Sequence, residues 1–324
     1  MKDIPSTLPE VRMKSLTPVR FTISGSLYFL ILFFLISGCT TTKQYAKLAD
    51  SGSTYTGAVV SMADKASEIW VDASSYKLLA KRSDLLQRYK GGELNNRLND
   101  ELQKSRAEDS TVIGQHKVIK AVAGNLQDYF SALKALAASS APADIGTKTN
   151  DVIIKINALI KEEDDKLPLS VTKGAALVSP AMELVTEARL KDEMVSRKNT
   201  ILSALQVIRK LQTNIAQSIE AYSPYINSKY EQIHVTSPYT EISRKRLSQS
   251  SDIDLWIKER QQVVRGLQSA GTASQINDEA NKSLKAFRDT FEKMTSGESD
   301  GLDWNQLSVL ADQMIEFKEF IKSL

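Results

Sequence analysis

Residues 45–76 read YAKLADSGSTYTGAVVSMADKASEIWVDASSY, and their spacing decides the fold class. Tyr45, Leu48, Tyr55, Val59, Met62, Ala66, Ile69, Ala73 and Tyr76 recur at intervals of three and four, with Gly52 filling the one vacant slot. That interval is one face of an α-helix, and a run this long predicts a helix packed against neighbours along its whole length. Gly52, Ala66 and Ala73 within the stripe point to close helix approach in an antiparallel bundle rather than a dimeric zipper. Gly91-Gly92 is the expected terminator.

Downstream the same pattern returns. A second helix from Glu93 is polar at first (Leu94, Leu98, Leu102) and then tightens into Ile119, Val122, Leu126, Tyr129, Leu133 and Leu136. Glu108–Gly114, between the two halves, reads as a kink or short loop, and 137–142 as a turn. A third helix is expected at about Thr149–Asp164, with Ile153, Ile156 and Ile160 inward and the acidic run Glu162–Asp165 as a solvated end before Pro168. A fourth spans Val171 to about Tyr222, with Ser179-Pro180 as an N-cap and first-turn proline. A break is expected after Tyr222. There Ser223-Pro224-Tyr225 and Ser237-Pro238-Tyr239 repeat one tripeptide, each starting a new helix or kinking a continuing one. Three more helices follow: Ile253–Leu267 up to a break at Gly271, Ala273–Met294, and Leu307–Leu324. No period-two alternation flanked by turn chemistry occurs. The expectation is an all-α fold, an elongated antiparallel helical bundle of roughly six to eight long, coiled-coil-like helices.

Composition agrees and excludes several function classes. The chain has 324 residues with 42% hydrophobic and 25% charged, ordinary for a folded protein. Of its 14 Gly and 8 Pro, two glycines and three prolines precede Cys39, so the rest is poor in helix breakers. Four basic and two acidic side chains precede Cys39, leaving 38 basic and 37 acidic, with no bias towards nucleic acid. One cysteine excludes an internal disulfide framework, and two histidines argue against a multi-histidine metal site. No cofactor is expected.

The amino-terminal stretch carries the one chemical signal. Phe21–Cys39 reads FTISGSLYFLILFFLISGC, flanked by Lys14 and Arg20 and ending on the only cysteine. Phe21–Ile36 supplies 16 residues, against about 20 apolar ones needed to span a bilayer. The match is to the apolar core of an export signal, with an uncleaved membrane anchor as the alternative. Ile36-Ser37-Gly38-Cys39 resembles the lipobox of bacterial lipoproteins. The resemblance covers residues 13–39 only. It implies cleavage between Gly38 and Cys39, diacylglycerol (palmitate-bearing) on the Cys39 sulfur, and anchorage in the cell envelope. Thr40, in place of the Asp that retains enteric-type lipoproteins in the inner membrane, implies the outer membrane, facing the periplasm. Translation from Met13 gives a leader of ordinary length. The domain reading is 1–38 signal peptide, 39–42 tether and 43–324 a single helical body.

The body offers few candidates. Ser223–Arg246 is densest in functional residue types: Tyr225, Tyr230, His234 and Tyr239, then Arg244, Lys245 and Arg246. It reads as a contact surface for a protein partner or anionic headgroups, or more plainly as a kinked helix pair with a solvated basic turn. His116, beside an expected helix start, reads as a surface histidine. Trp70, Trp256 and Trp304 read as core or bundle-end residues, and Ser75-Tyr76-Lys77 carries no catalytic information. No nucleophile elbow, phosphate loop or metalloprotease helix occurs, so an enzyme is not expected. The sequence therefore predicts a lipid-anchored interaction or adaptor protein. The alternatives are a structural spacer or oligomeric scaffold, and a lipid- or small-molecule-binding module.

Overall fold

The structure, a computed structural model, describes residues 24–138, 151–158, 187–240, 250–296 and 303–324, with side chains from residue 42 onward except 265–272. The chain divides into two compact units, Met1–Thr40 and Thr41–Leu324. All described side chains belong to the second. Its elements are α1 (Ser24–Arg88), α2 (Gly91–Ala138), α3 (151–158), α4 (Glu187–Tyr230), a π-helical segment (Glu231–Thr236), α5 (Ser237–Thr240), α6 (Ser250–Ala273), α7 (Ile276–Thr295) and α8 (Trp304–Lys322). Among the described residues there is no strand. The fold is an all-α helical bundle.

Side-chain pairs fix the helix directions. Between α1 and α2 the partners run in opposite order: Asp50 with Lys134 (2.6 Å), Asp64 with Lys120 (2.7 Å), Ser67 with His116 (2.9 Å) and Trp70 with Asp109 (2.9 Å). These two helices are antiparallel. Between α1 and α4 the order is the same, Tyr55 with Gln212 and Trp70 with Tyr222, so α4 runs parallel to α1. On α8, Ser308 meets Lys47 and Phe317 meets Tyr55, which makes it parallel to α1 as well. Contacts of α7 run the other way, from Asn277 at Glu220 to Phe287 at Tyr55 and Phe130.

The core follows the apolar stripes. Tyr45, Leu48, Tyr55, Val59, Met62, Ala66 and Ala73 of α1 are buried, and Ile69 and Tyr76 half-buried. Opposite lie Ile119, Val122, Leu126, Tyr129, Phe130 and Leu133 of α2, with Ile201, Leu205, Ile208, Ile215 and Ile219 of α4. Hairpin α7–α8 closes this half with Phe287, Phe291, Met294, Leu310, Met314 and Phe317. An aromatic cluster sits at its centre: Phe287 stacks on Tyr55 at 5.8 Å and meets Phe130 edge-on at 5.2 Å. Gly52 is where this cluster meets α1. A Cβ there would lie 2.7 Å from the Phe130 ring and 2.8 Å from Phe287. The small residue thus admits two aromatic rings to the helix backbone.

Several expectations are corrected. The first helix ends at Arg88, three residues before Gly91, whose φ of +59° turns the chain into α2. Glu108–Gly114 is not a loop, since α2 is continuous to Ala138. Asp109 there accepts hydrogen bonds from Trp70 and Ser74 across the interface, and Thr111 turns its hydroxyl onto the Ala107 carbonyl. Tertiary anchoring thereby overrides weak local helix propensity. No break follows Tyr222: α4 carries Pro224 inside it and runs to Tyr230. Gly271 is not a break either, because α6 continues to Ala273 and the chain turns at Ser274-Gln275. The Glu220 carboxylate accepts the Asn277 N–H there (3.3 Å), so α4 caps α7. Of the third helix, 151–158 is described, with Val152, Ile153 and Ile156 buried. Ile160, Glu162–Asp165, Ser179-Pro180, Gly297 and Gly301 lie outside the described residues.

Candidate functional site

The segment from Ser223 onward becomes one arm of the molecule, formed by the end of α4, the π-helical segment and α5, with α6 antiparallel beside it. Its conformation begins with Pro238. Proline has no N–H for the carbonyl one turn back, and its ring needs room on that side. The preceding turn, Glu231–Thr236, widens into π-helix, and the Val235 carbonyl accepts the Trp256 indole N–H from α6 at 3.0 Å. Tyr239 stacks on Trp256 at 5.5 Å and is 68% exposed.

One turn back, the Tyr230 hydroxyl donates to the Glu259 carboxylate and lies 3.0 Å from the Gln262 carbonyl oxygen. His234 packs on the Tyr230 ring at 4.5 Å. Desolvation raises the Tyr230 phenol to about 12, helped by the hydrogen bond and the charge of Glu259 and by Tyr76. Tyr76 is raised too, by burial first and then by Asp72 and Glu259. Both tyrosines stay protonated where α1, α4 and α6 meet, and Tyr230 is the donor to Glu259. Tyr225 is half-buried, with the Lys229 ammonium 5.9 Å from its ring centre. The structure therefore brings Tyr230, His234 and Tyr239 onto one arm. Arg244, Lys245 and Arg246 lie outside the described residues, as do the Cys39 side chain and the surroundings of Gly38.

Further in, Trp70 meets Tyr222 edge-on at 5.3 Å, and Lys77 lies 4.1 Å from the centre of the Tyr222 ring. Below Trp70 an open groove of about 170 Å³ runs between α1 and α2, lined by Ser74, Lys77, Lys81, Glu101 and Lys104. Lys81 and Glu101 approach to 3.8 Å across it.

His116 is not a surface residue. It is 4% exposed, and its Nδ1 lies 2.9 Å from Ser67 Oγ, whose proton goes to the Ala63 carbonyl. Nδ1 must then be the protonated nitrogen, and burial lowers its pKa below the ordinary histidine value. Trp70 and Trp256 are half-buried, and Trp304 is 44% exposed beneath the Lys47 ammonium, 4.9 Å from its ring centre. Glu259 and Asp109, which anchor these contacts, carried no signal among the many carboxylates of the polar faces. His116 did: it stands three residues before Ile119, on the same stripe.

Among the described residues no three His, Cys, Asp or Glu side chains gather as a metal ion needs. What the arm offers is surface. Ile233, Tyr239, Ile253, Leu255, Ile257 and Val264 are each at least 41% exposed and fall within residues 231–264. The fold is an all-α bundle, and residues 231–264 carry several exposed apolar and aromatic side chains. Comparison with protein-family models, with curated proteins and with solved structures finds no match.

Proposed function

We propose that this chain is a non-enzymatic lipoprotein of the bacterial cell envelope, whose helical bundle serves as an interaction surface for another envelope protein. The exposed apolar and aromatic side chains of residues 231–264, Tyr239 and Leu255 foremost, carry the reading. Single exposed apolar residues are ordinary, but a cluster rimmed by charges marks a contact surface. The lipobox-like Ile36–Cys39 supplies the anchor: signal peptide 1–38, diacylglycerol and palmitate on Cys39, a tether through residue 42 and the body from 43 onward. Thr40 favours the outer membrane, on its periplasmic side. One acyl chain holds only marginally, and two or three hold a body of this size. Among the described residues no helix is long and apolar enough to cross a membrane. No nucleic-acid partner or cofactor enters this reading.

Affinity purification of the full chain from crosslinked membranes tests it. A stoichiometric envelope protein, a second copy included, is expected with the native chain and lost with Leu255→Asp/Tyr239→Ala. A chain recovered alone in both cases refutes the surface. The 48 residues of α2, about 70 Å at 1.5 Å each, favour a second reading as a spacer or scaffold. Small-angle scattering of the body distinguishes the two, since a compact particle excludes the spacer.

A further inference from the structure

The last turns of α1 and the turn into α2 carry a local excess of positive charge. Residues 77–90 read KLLAKRSDLLQRYK, with Lys77, Lys81, Arg82, Arg88 and Lys90 against the single acid Asp84. Elsewhere after residue 38 acidic side chains outnumber basic ones. All five cations are exposed, and the bundle makes little use of them. Lys81 meets Glu101 at 3.8 Å, and Lys77 lies over the Trp70 and Tyr222 rings. Arg82, Arg88 and Lys90 meet no carboxylate among the described residues, and Glu93 across the turn is taken by Arg97 at 4.0 Å. Apolar side chains share this surface. Leu79, Arg82 and Leu86 follow at steps of three and four, which sets them on one side of the helix. Leu79 is 55% and Leu86 44% exposed, whereas Leu85 turns inward.

We infer that this end of the α1–α2 hairpin docks on an anionic phospholipid surface. Arg82, Arg88 and Lys90 meet the phosphates, while Leu79 and Leu86 enter the boundary between headgroups and acyl chains. The sign of the excess selects an anionic partner. The leucines select a lipid one, because a dissolved polyanion has no apolar layer to cover them. Arg82 stands between the two leucines on their face, so one approach of the helix serves both kinds of contact. Long Arg and Lys stems carry their charge past the leucines to the headgroups. Lys77 and Lys81 stand farther round the helix and add to the local potential, which reaches about 8 Å in physiological salt. The turn itself is held by Gly91, at φ +59°, and by Arg97, 5.4 Å from the centre of the Tyr89 ring. Along α1 it lies about 70 Å from Thr42 at 1.5 Å per residue, so this contact is separate from whatever holds the amino terminus. The inference goes beyond the reading above and does not depend on a lipid at Cys39.

The full chain reconstituted in phosphatidylcholine vesicles, lipidated or retaining its leader, tests it. These vesicles should capture fluorescent vesicles that contain phosphatidylglycerol and leave pure phosphatidylcholine ones free. Each basic residue at an anionic surface is worth about fivefold in binding, so Arg82→Ser/Lys90→Ser should lower capture about 25-fold. Arg82→Lys/Arg88→Lys keeps the charge and should retain it. Leu79→Ser/Leu86→Ser should weaken vesicle capture while leaving the binding of polyphosphate unchanged. All these side chains are exposed, and thermal unfolding by circular dichroism checks that each variant is folded. No capture, equal capture of both vesicle types, or capture unchanged in Arg82→Ser/Lys90→Ser overturns the inference. Capture unchanged in the leucine variant makes the partner a polyanion and overturns the lipid surface. Each of these failures leaves the anchorage through Cys39 standing, because that is read from the mass of the amino-terminal peptide.

Discussion

Replacing Gly52 by alanine probes the packing of α1 most sharply, because two effects of opposite sign compete there. In a helix interior alanine is better than glycine by about 1 kcal/mol. Against this, the new Cβ would sit 2.7 Å from Phe130 Cγ and Cδ2 and 2.8 Å from Phe287 Cζ. Carbon atoms pack at about 3.5–4.0 Å, so both rings must retreat by about 1 Å. Neither has room: Phe287 is held by Tyr55, Phe130 and Phe291, and Phe130 also meets Tyr129 edge-on. Overpacking of this kind costs about 1–3 kcal/mol, leaving a net loss of up to about 2 kcal/mol. Gly114 and Gly124 are the controls, lying inside α2 with nothing within 4 Å of a Cβ. Alanine at either should stabilise by about 0.5–1 kcal/mol. Thermal unfolding followed by circular dichroism reads the three signs, at roughly 2–4 °C per kcal/mol for a chain of this size. A Gly52→Ala protein that melts higher, as the controls do, would refute the placement of Phe130 and Phe287 on α1.

His116 should make stability fall in acid. Its folded pKa is depressed, so the contribution of the neutral ring is fully present above the unfolded value of about 6.5 and is lost as pH falls through it towards the folded one. Urea melts across that window should show the fall in the native protein and a flatter profile in His116→Gln. Tyr55→Phe removes the 2.8 Å donor from Gln212 Oε1, whose Nε2 is also without a partner among the described residues. The expected loss is about 1–3 kcal/mol in urea melts, with much of it recovered in Tyr55→Phe/Gln212→Leu. Trp70→Phe keeps a ring against Tyr222 but removes the donor to Asp109, and should cost about 1 kcal/mol with the far-ultraviolet spectrum unchanged.

What was legible in the sequence was the periodic part. The stripes from Tyr45, Ile119, Ile201, Ala280 and Leu307 mark the faces that the bundle buries, because burial selects apolar residues at helical spacing whatever the partner. Punctuation was less legible. Gly91 ends its turn with a positive φ, while Gly271 and Gly114 sit inside helices, and composition alone does not separate these cases. Pro224 continues a helix, whereas Pro238 follows a widened turn whose Val235 carbonyl accepts the Trp256 indole N–H from a distant helix. The arm's tyrosines stood out by density, but Glu259 became visible only once α6 lay beside α4. His116 was misjudged because its polar neighbours Gln115 and Lys117 face outward while it continues the stripe of Ile119 inward.

The proposed anchorage of the bundle through Cys39 is decided by mass spectrometry of the amino-terminal peptide from the membrane-extracted protein. The expected chain begins at Cys39 with a mass that includes a diacylglycerol, and the lipid is absent from Cys39→Ser. A chain that retains residues before Cys39, or that begins there with an unmodified thiol, would contradict it.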